Sequence, residues 1–151
     1  MGSSLVKIDI HLIFHIKSTS PTMAVQDLNR IFEFMAGTIV RLNGTVFQIG
    51  GISNHVHILS SLPKNMCISD FVKYIKTASN KMIKSIDDRY SNFGWQNGYG
   101  AFSVSPNGLD NVVNYIKNQF EHHKKQSFQD EYKSILEACG MKYDDRFIFM
   151  D

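Results

Sequence analysis

Cysteine is nearly missing from this chain. Cys67 and Cys139 are the only two, and they form no CxxC or zinc-finger spacing. That excludes a disulfide framework and points to a reducing compartment, read as the cytoplasm. No apolar run approaches the length of a membrane span, so no membrane partner is expected. The N-terminal stretch lacks a charged lead and a small-residue cleavage site, and Asp9 and His11 interrupt its apolar run. It reads as no signal peptide. Charge of one sign is also lacking: 16 Lys and Arg against 14 Asp and Glu leave a net charge of +2. Nucleic-acid binding is permitted by that balance and not demanded by it, so any basic surface must come from local clustering. There is no internal repeat, low-complexity tract, interdomain linker or GxxxxGK[ST] loop, and no nucleotide cofactor is expected. The 151 residues are 43% hydrophobic and 20% charged, which predicts one globular domain over residues 1–151 with a sizeable core.

Hydrophobic period sets the element order. Residues 5–17 alternate, with Ile8, Ile10, Leu12, Phe14 and Ile16 on one face and His11 and His15 on the other. They read as a strand with one buried face. Residues 24–43 carry apolar residues at helical spacing and stop at Asn43-Gly44. Residues 45–52 and 55–62 read as antiparallel strands joined by a turn, and residues 68–86 as a second amphipathic helix. The segment 93–100 is turn-rich and aromatic; residues 101–105 follow as a short strand. A third helix starts near Leu109 or Asp110 and is expected to run through Tyr115, Gln119 and His122. A fourth covers 127–139, and the tail 145–150 reads as a strand or an arm. The predicted class is α+β, a ferredoxin-like (RRM-like) split β-α-β antiparallel sheet with an added C-terminal helix that bears a tyrosine. Two crossover helices would cover one sheet face, and the third helix would lie across the other.

Chemistry concentrates in two short patterns. In His55-Val56-His57 the histidines sit at i and i+2 of a strand and project from the same face, as a metal site requires. In Tyr115-Ile-Lys-Asn-Gln119 a phenol and an amide share a helix face at i and i+4. Either pattern alone is weak, since a lone HxH pair is usually two half-exposed histidines and a lone Gln is usually solvated. Together, on a topology that brings them face to face, they suit a divalent ion, Mg²⁺ or Mn²⁺, held by His55, His57 and Gln119 beside a nucleophilic Tyr115. An unperturbed phenol titrates near ~10, so its proton needs an acceptor, which the sequence does not identify. His11 and His15 lie about 13 Å apart on a strand, too far for one ion, and read as DNA-facing or structural. Lys73, Lys76 and Lys84 form a basic stripe on the second helix, either a wet face or a phosphate track. Trp95 would stack on unpaired bases or pack under a loop. His122 and Lys124 belong to a basic helix end, either solvated or in contact with phosphate, with His122 also able to approach the metal.

At these residues the chain resembles the HUH single-tyrosine transposases of the smallest bacterial insertion sequences and is similar to the REP-associated tyrosine transposases. The shared features are His55-Val56-His57, Tyr115 to Gln119, Trp95-Gln-Asn-Gly-Tyr-Gly-Ala-Phe-Ser-Val-Ser105 and Ile75-Lys-Thr-Ala-Ser-Asn-Lys81. Two positions depart from the family pattern: Asn54 stands where an acidic residue is usual, and the first strand leads into Lys17-Ser-Thr-Ser-Pro21 instead of a basic segment. The resemblance implies cleavage and rejoining of single-stranded DNA through a 5′-phosphotyrosine link, recognition of hairpins at element ends, and a homodimer in which Tyr115 serves the partner's histidines. A catalytically silent hairpin-binding relative is the alternative. An RNA-binding module or a phosphodiesterase using water fits less well: residues 8–16 lack the aromatic pattern of an RNA-binding strand, and a phosphodiesterase would not need Tyr115.

Overall fold

A computed structural model describes residues 2–151. Its elements follow the hydrophobic period closely: β1 (Asp9–His15), α1 (Val25–Arg41), β2 (Val46–Ile52), β3 (His55–Ser61), α2 (Ile68–Ile86), β4 (Gly100–Val104), α3 (Leu109–Lys117), α4 (Gln119–His123) and α5 (Phe128–Ala138). The four strands form one antiparallel sheet in the order β2-β3-β1-β4. This is the split β-α-β arrangement of a ferredoxin-like α+β fold. No helix among the described residues is long and apolar enough to cross a membrane.

The sheet buries both faces. Ile10, Leu12 and Phe14 of β1 and Val56 and Ile58 of β3 join the apolar stripes of α1 and α2 in the main core. On the opposite face Ile13 and Phe102 meet Phe128, Tyr132 and Leu136 of α5 in a second cluster. Every residue of β1 is therefore buried, which corrects the expectation of one buried face. The alternation along β1 holds, but it does not reveal the C-terminal helix: α5 is amphipathic and has nowhere else to bury its stripe.

One glycine lets the third helix settle on the sheet, and a second shapes the turn into β3. A Cβ at Gly50 would lie 2.7 Å from the Ile116 carbonyl oxygen and 2.8 Å from its Cγ2, so α3 rests directly on the β2 backbone. Gly51 has φ +155°, and a Cβ there would collide with the His55 carbonyl oxygen. Both pair with β3 beside the histidines, Gly50 with His57 and Gly51 with Val56, and Gly50 is the one that α3 rests on. The helix carrying Tyr115 is broken, which corrects the expectation of a continuous one through Gln119 and His122. Asn118, at φ −96° and ψ 19°, interrupts it between α3 and α4, and its N–H is shared between the Asn114 and Tyr115 carbonyls. Asn readily leaves helical geometry, which accounts for a break at this position. The tail forms turns instead of a strand, with Phe149 packed near Phe128 and Tyr132.

Candidate metal centre and nucleophile

His55 and His57 point from β3 into the space under α3, α4 and α5, with both side chains fully buried. Gln119 opens α4 and Glu131 lies in the first turns of α5; each is 1% exposed. Glu131 holds the cluster together. Its Oε1 lies 3.1 Å from His57 Nε2, 3.5 Å from His55 Nε2 and 3.2 Å from His123 Nε2. Its Oε2 accepts a hydrogen bond from Gln119 Nε2 at 3.0 Å and another from the Tyr115 hydroxyl. Tyr115 and Gln119 thus converge on one carboxylate despite the helix break between them.

The protonation balance of this cluster is short of positive charge. Burial, with His57 as a smaller cause, pushes His55 down to about 3, and burial also lowers His57; both rings are neutral near pH 7. A neutral imidazole carries one proton. His55 nevertheless has an oxygen at each nitrogen: Asn54 Oδ1 at 2.8 Å from Nδ1 and Gln119 Oε1 at 2.8 Å from Nε2. Since Gln119 spends its N–H on Glu131, its oxygen must face the histidine. With the Asn54 oxygen toward Nδ1, one of the two contacts to His55 is lone pair against lone pair. Placing the proton on Nδ1 leaves His55 Nε2, Gln119 Oε1 and Glu131 Oε1 converging with no hydrogen to share. A cation at that point satisfies all of them, and His55, His57 and Glu131 form a set whose ligand atoms lie within 4.8 Å of one another. The donor set of imidazole, carboxylate and amide oxygen suits Mn²⁺ or Mg²⁺.

Glu131 remains ionised. Burial alone pushes its carboxyl up, but its contact with His57 and the hydrogen bonds from Tyr115 and Gln119 outweigh it and hold the group below the usual range. Tyr115 moves the other way: burial and the neighbouring carboxylate raise the phenol well above its ordinary value.

Other histidines support the ligands. His11 Nε2 lies 2.8 Å from His57 Nδ1, a buried contact that fixes the ring and leaves His57 Nε2 for the metal side. His15 is buried against Phe128 and Phe149. Both are buried, which fits the structural one of the two readings and not the DNA-facing one. His122 stacks against Tyr115 at 4.6 Å between ring centroids, and it is His123 that reaches Glu131. Lys124 is exposed and paired with Glu121 at 3.0 Å.

Trp95 is 6% exposed and packs edge-on to Phe14 and Phe93, with its N–H donated to Ser79 Oγ. It is a core residue with no free face for a base, which corrects the stacking role. Lys73 and Lys84 remain exposed on α2, whereas Lys76 is half-buried and donates to the Gln96 and Gly98 carbonyls. Burial lowers its ammonium to about 8.

Glu131, His11 and His123 join the site without any motif that marks them in the sequence. A readable signal exists for Glu131 alone: it shares the buried stripe of Phe128, Tyr132 and Leu136, where a carboxylate survives only with partners.

The family described as Transposase IS200 like matches residues 4–119. No curated protein matches the chain. A solved structure of a chain from Deinococcus radiodurans R1, itself assigned as a transposase only by inference, is 20% identical, with a TM-score of 0.60 over 79% of this chain and 95% of that one. A REP-associated tyrosine transposase solved with a REP hairpin is 12% identical, with a TM-score of 0.55 over 82% of this chain and 73% of that one. At these identities the two structures speak for the fold. The family match runs from β1 to Gln119 and contains both His55-Val56-His57 and Tyr115 to Gln119, and on it the chain belongs to the IS200-like transposases.

Proposed function

We propose that the chain cuts and rejoins single-stranded DNA through a 5′-phosphotyrosine intermediate at a divalent-metal centre. The observation that carries this reading is the placement of Tyr115: its hydroxyl rests on Glu131, whose other oxygen lies against His55 and His57. His55, His57, Gln119 and Glu131 would hold Mg²⁺ or Mn²⁺. A bound ion would act there as a Lewis acid on the phosphate oxygens.

Glu131 Oε2 is the acceptor for the phenol proton. In the resting state the proton stays on Tyr115, whose acidity is depressed. As the O–P bond forms, the phenol oxygen loses basicity and the proton passes to the carboxylate with which it is already hydrogen-bonded. The P–O3′ bond breaks, and the departing 3′-oxygen takes a proton from water. In the joining step a 3′-hydroxyl attacks the phosphotyrosine and returns its proton to water as the P–O3′ bond forms; the bond from phosphorus to the phenol oxygen breaks, and that oxygen recovers its proton from Glu131. One phosphodiester replaces another, so the cycle needs no external energy source.

Recognition of hairpins at element ends belongs to the same proposal, supported by the relative that was solved with a REP hairpin. So does a homodimer, for which β2 and β4 are the available sheet edges. Within one chain Tyr115 meets Glu131; a mixed dimer of His57→Ala and Tyr115→Phe subunits reads whether it serves its own histidines or the partner's. His55, His57, Gln119 and Glu131 are buried in the closed arrangement of the chain. This closed state also favours a second reading, a catalytically silent hairpin-DNA binder.

One experiment separates the two. Labelled single strands from the DNA flanking the gene are incubated with the protein and Mn²⁺ and run on a denaturing gel. A covalent band lost in Tyr115→Phe and with chelator supports strand transfer. A shift on a native gel without a covalent band supports the binder.

A further inference from the structure

An open groove of about 560 Å³ runs between α2 and the 93–99 segment. Helix α2 packs on the sheet face of Ile10, Leu12 and Phe14, so the sheet separates this groove from the metal centre. The two sites differ in access: the groove is open while the ligands are buried.

Its lining is one-signed in a chain that is nearly neutral. Lys17, Lys73, Lys76 and Lys84 line it, and no Asp or Glu does. Lys17, Lys73 and Lys84 have no carboxylate partner within ion-pair distance among the described residues. Lys76 has a different task. Its Nζ is bound 2.7 Å and 2.6 Å from the Gln96 and Gly98 carbonyls, which fixes the segment as the second wall. That wall presents the Tyr99 ring, 36% exposed. Lys73 and Lys84 are about 16 Å apart along the helix, enough to follow several phosphates of an extended strand. Asn80 and Asn97 add uncharged donors along the floor.

We infer that this groove is a second DNA site, which takes an unpaired strand with its phosphates along Lys73 and Lys84 and Lys17, and a base stacked on Tyr99. The inference rests on the strand-transfer reading for its ligand class. Single-stranded DNA suits the groove because an exposed aromatic ring beside a row of ammonium groups recognises a base face together with a backbone, whatever the sequence.

The test is fluorescence anisotropy with a fluorescein-labelled oligothymidylate 20-mer at several salt concentrations. Lys73→Glu with Lys84→Glu should weaken binding by about 30-fold or more and reduce the salt slope by about 1.4, at roughly 0.7 per phosphate contact. Tyr99→Ala should weaken it about tenfold. The lysines are exposed, so an unchanged melting temperature confirms that the variants fold. Unaltered affinity in the lysine variant, no binding by the unaltered protein, or equal competition by a blunt 20-base-pair duplex would each overturn the inference. The gel assay runs alongside. An adduct formed while the groove variants bind normally removes the groove alone. Lysine-dependent binding without any adduct removes the catalytic reading and leaves the groove standing.

Discussion

Glu131→Gln separates a metal centre from a buried ion-pair network, because the two predict opposite signs. If the histidines are neutral metal ligands, the apoprotein holds a carboxylate against imidazole lone pairs. Gln fits the same space, keeps an oxygen for the Tyr115 and Gln119 donors, and turns an N–H toward His57 Nε2, 3.1 Å from the present Oε1. Weakening two charge-assisted bonds to neutral ones costs about 1 kcal/mol each. Removing a buried charge returns several kcal/mol of desolvation. The net expectation is that the metal-free variant is more stable by about 1–3 kcal/mol, and at this chain length each kcal/mol raises Tm by about 2–4 °C. Metal binding should weaken at least about tenfold through loss of the anionic ligand, so the gain in Tm on adding Mn²⁺ should shrink. Differential scanning calorimetry with chelator, then with Mn²⁺, reads both effects. If instead the cluster is a structural pairing of Glu131 with protonated histidines, the substitution strips the partner from a buried charge and costs about 3–5 kcal/mol. A fall in the Tm of the chelated protein would refute the metal-site reasoning.

Further expectations follow from the same geometry. Tyr115→Phe should abolish the covalent adduct while keeping the Mn²⁺-induced rise in Tm; a residual adduct on the gel would move the nucleophile elsewhere. His11→Ala removes the group that orients His57 at 2.8 Å and should weaken Mn²⁺ binding about 10- to 100-fold by calorimetric titration; unchanged affinity would mean that His57 needs no orienting partner. Burial holds His11 and His55 at about 3, below their unfolded value of 6.5. The unfolded chain takes up these protons first, so metal-free stability is full above pH 6.5 and is lost as pH falls toward 3. Two protons give a slope of about 2.7 kcal/mol per pH unit inside that window. Urea unfolding at pH 7, 6 and 5 checks it, and a flat profile would count against neutral buried histidines. Gly50→Ala would drive a Cβ to 2.7 Å from the Ile116 carbonyl. A cost of about 1–3 kcal/mol is expected from this overpacking, together with a weaker adduct band, and normal stability would show that α3 can shift without penalty.

Much of the site is legible in local patterns. Alternation along 8–16 and 55–61 exposes the strands, and a period of two is enough to put His55 and His57 on one face. The helix over 68–86 has the same bounds in the sequence pattern and in the fold, because its apolar stripe and its flanking residues agree. The pairing of Tyr115 with Gln119 assumes an unbroken helix. They do meet, but through Glu131 and across a break at Asn118. Trp95 shows the limit of reading a residue type alone: the same indole serves a base or a core, and only its neighbours Phe14, Phe93 and Ser79 decide.

The element order, the sheet faces, the two histidines and the candidate nucleophile are all encoded in the sequence at short range, since each depends on repeats of two to four residues. Long-range packing alone made α5 cover the second face and deliver Glu131 to His57, 74 residues away along the chain. It also set His11 behind His57 and closed the centre to solvent. Those contacts arise between elements distant in sequence. No local period encodes them; they follow from where an amphipathic helix finds an apolar surface to bury against.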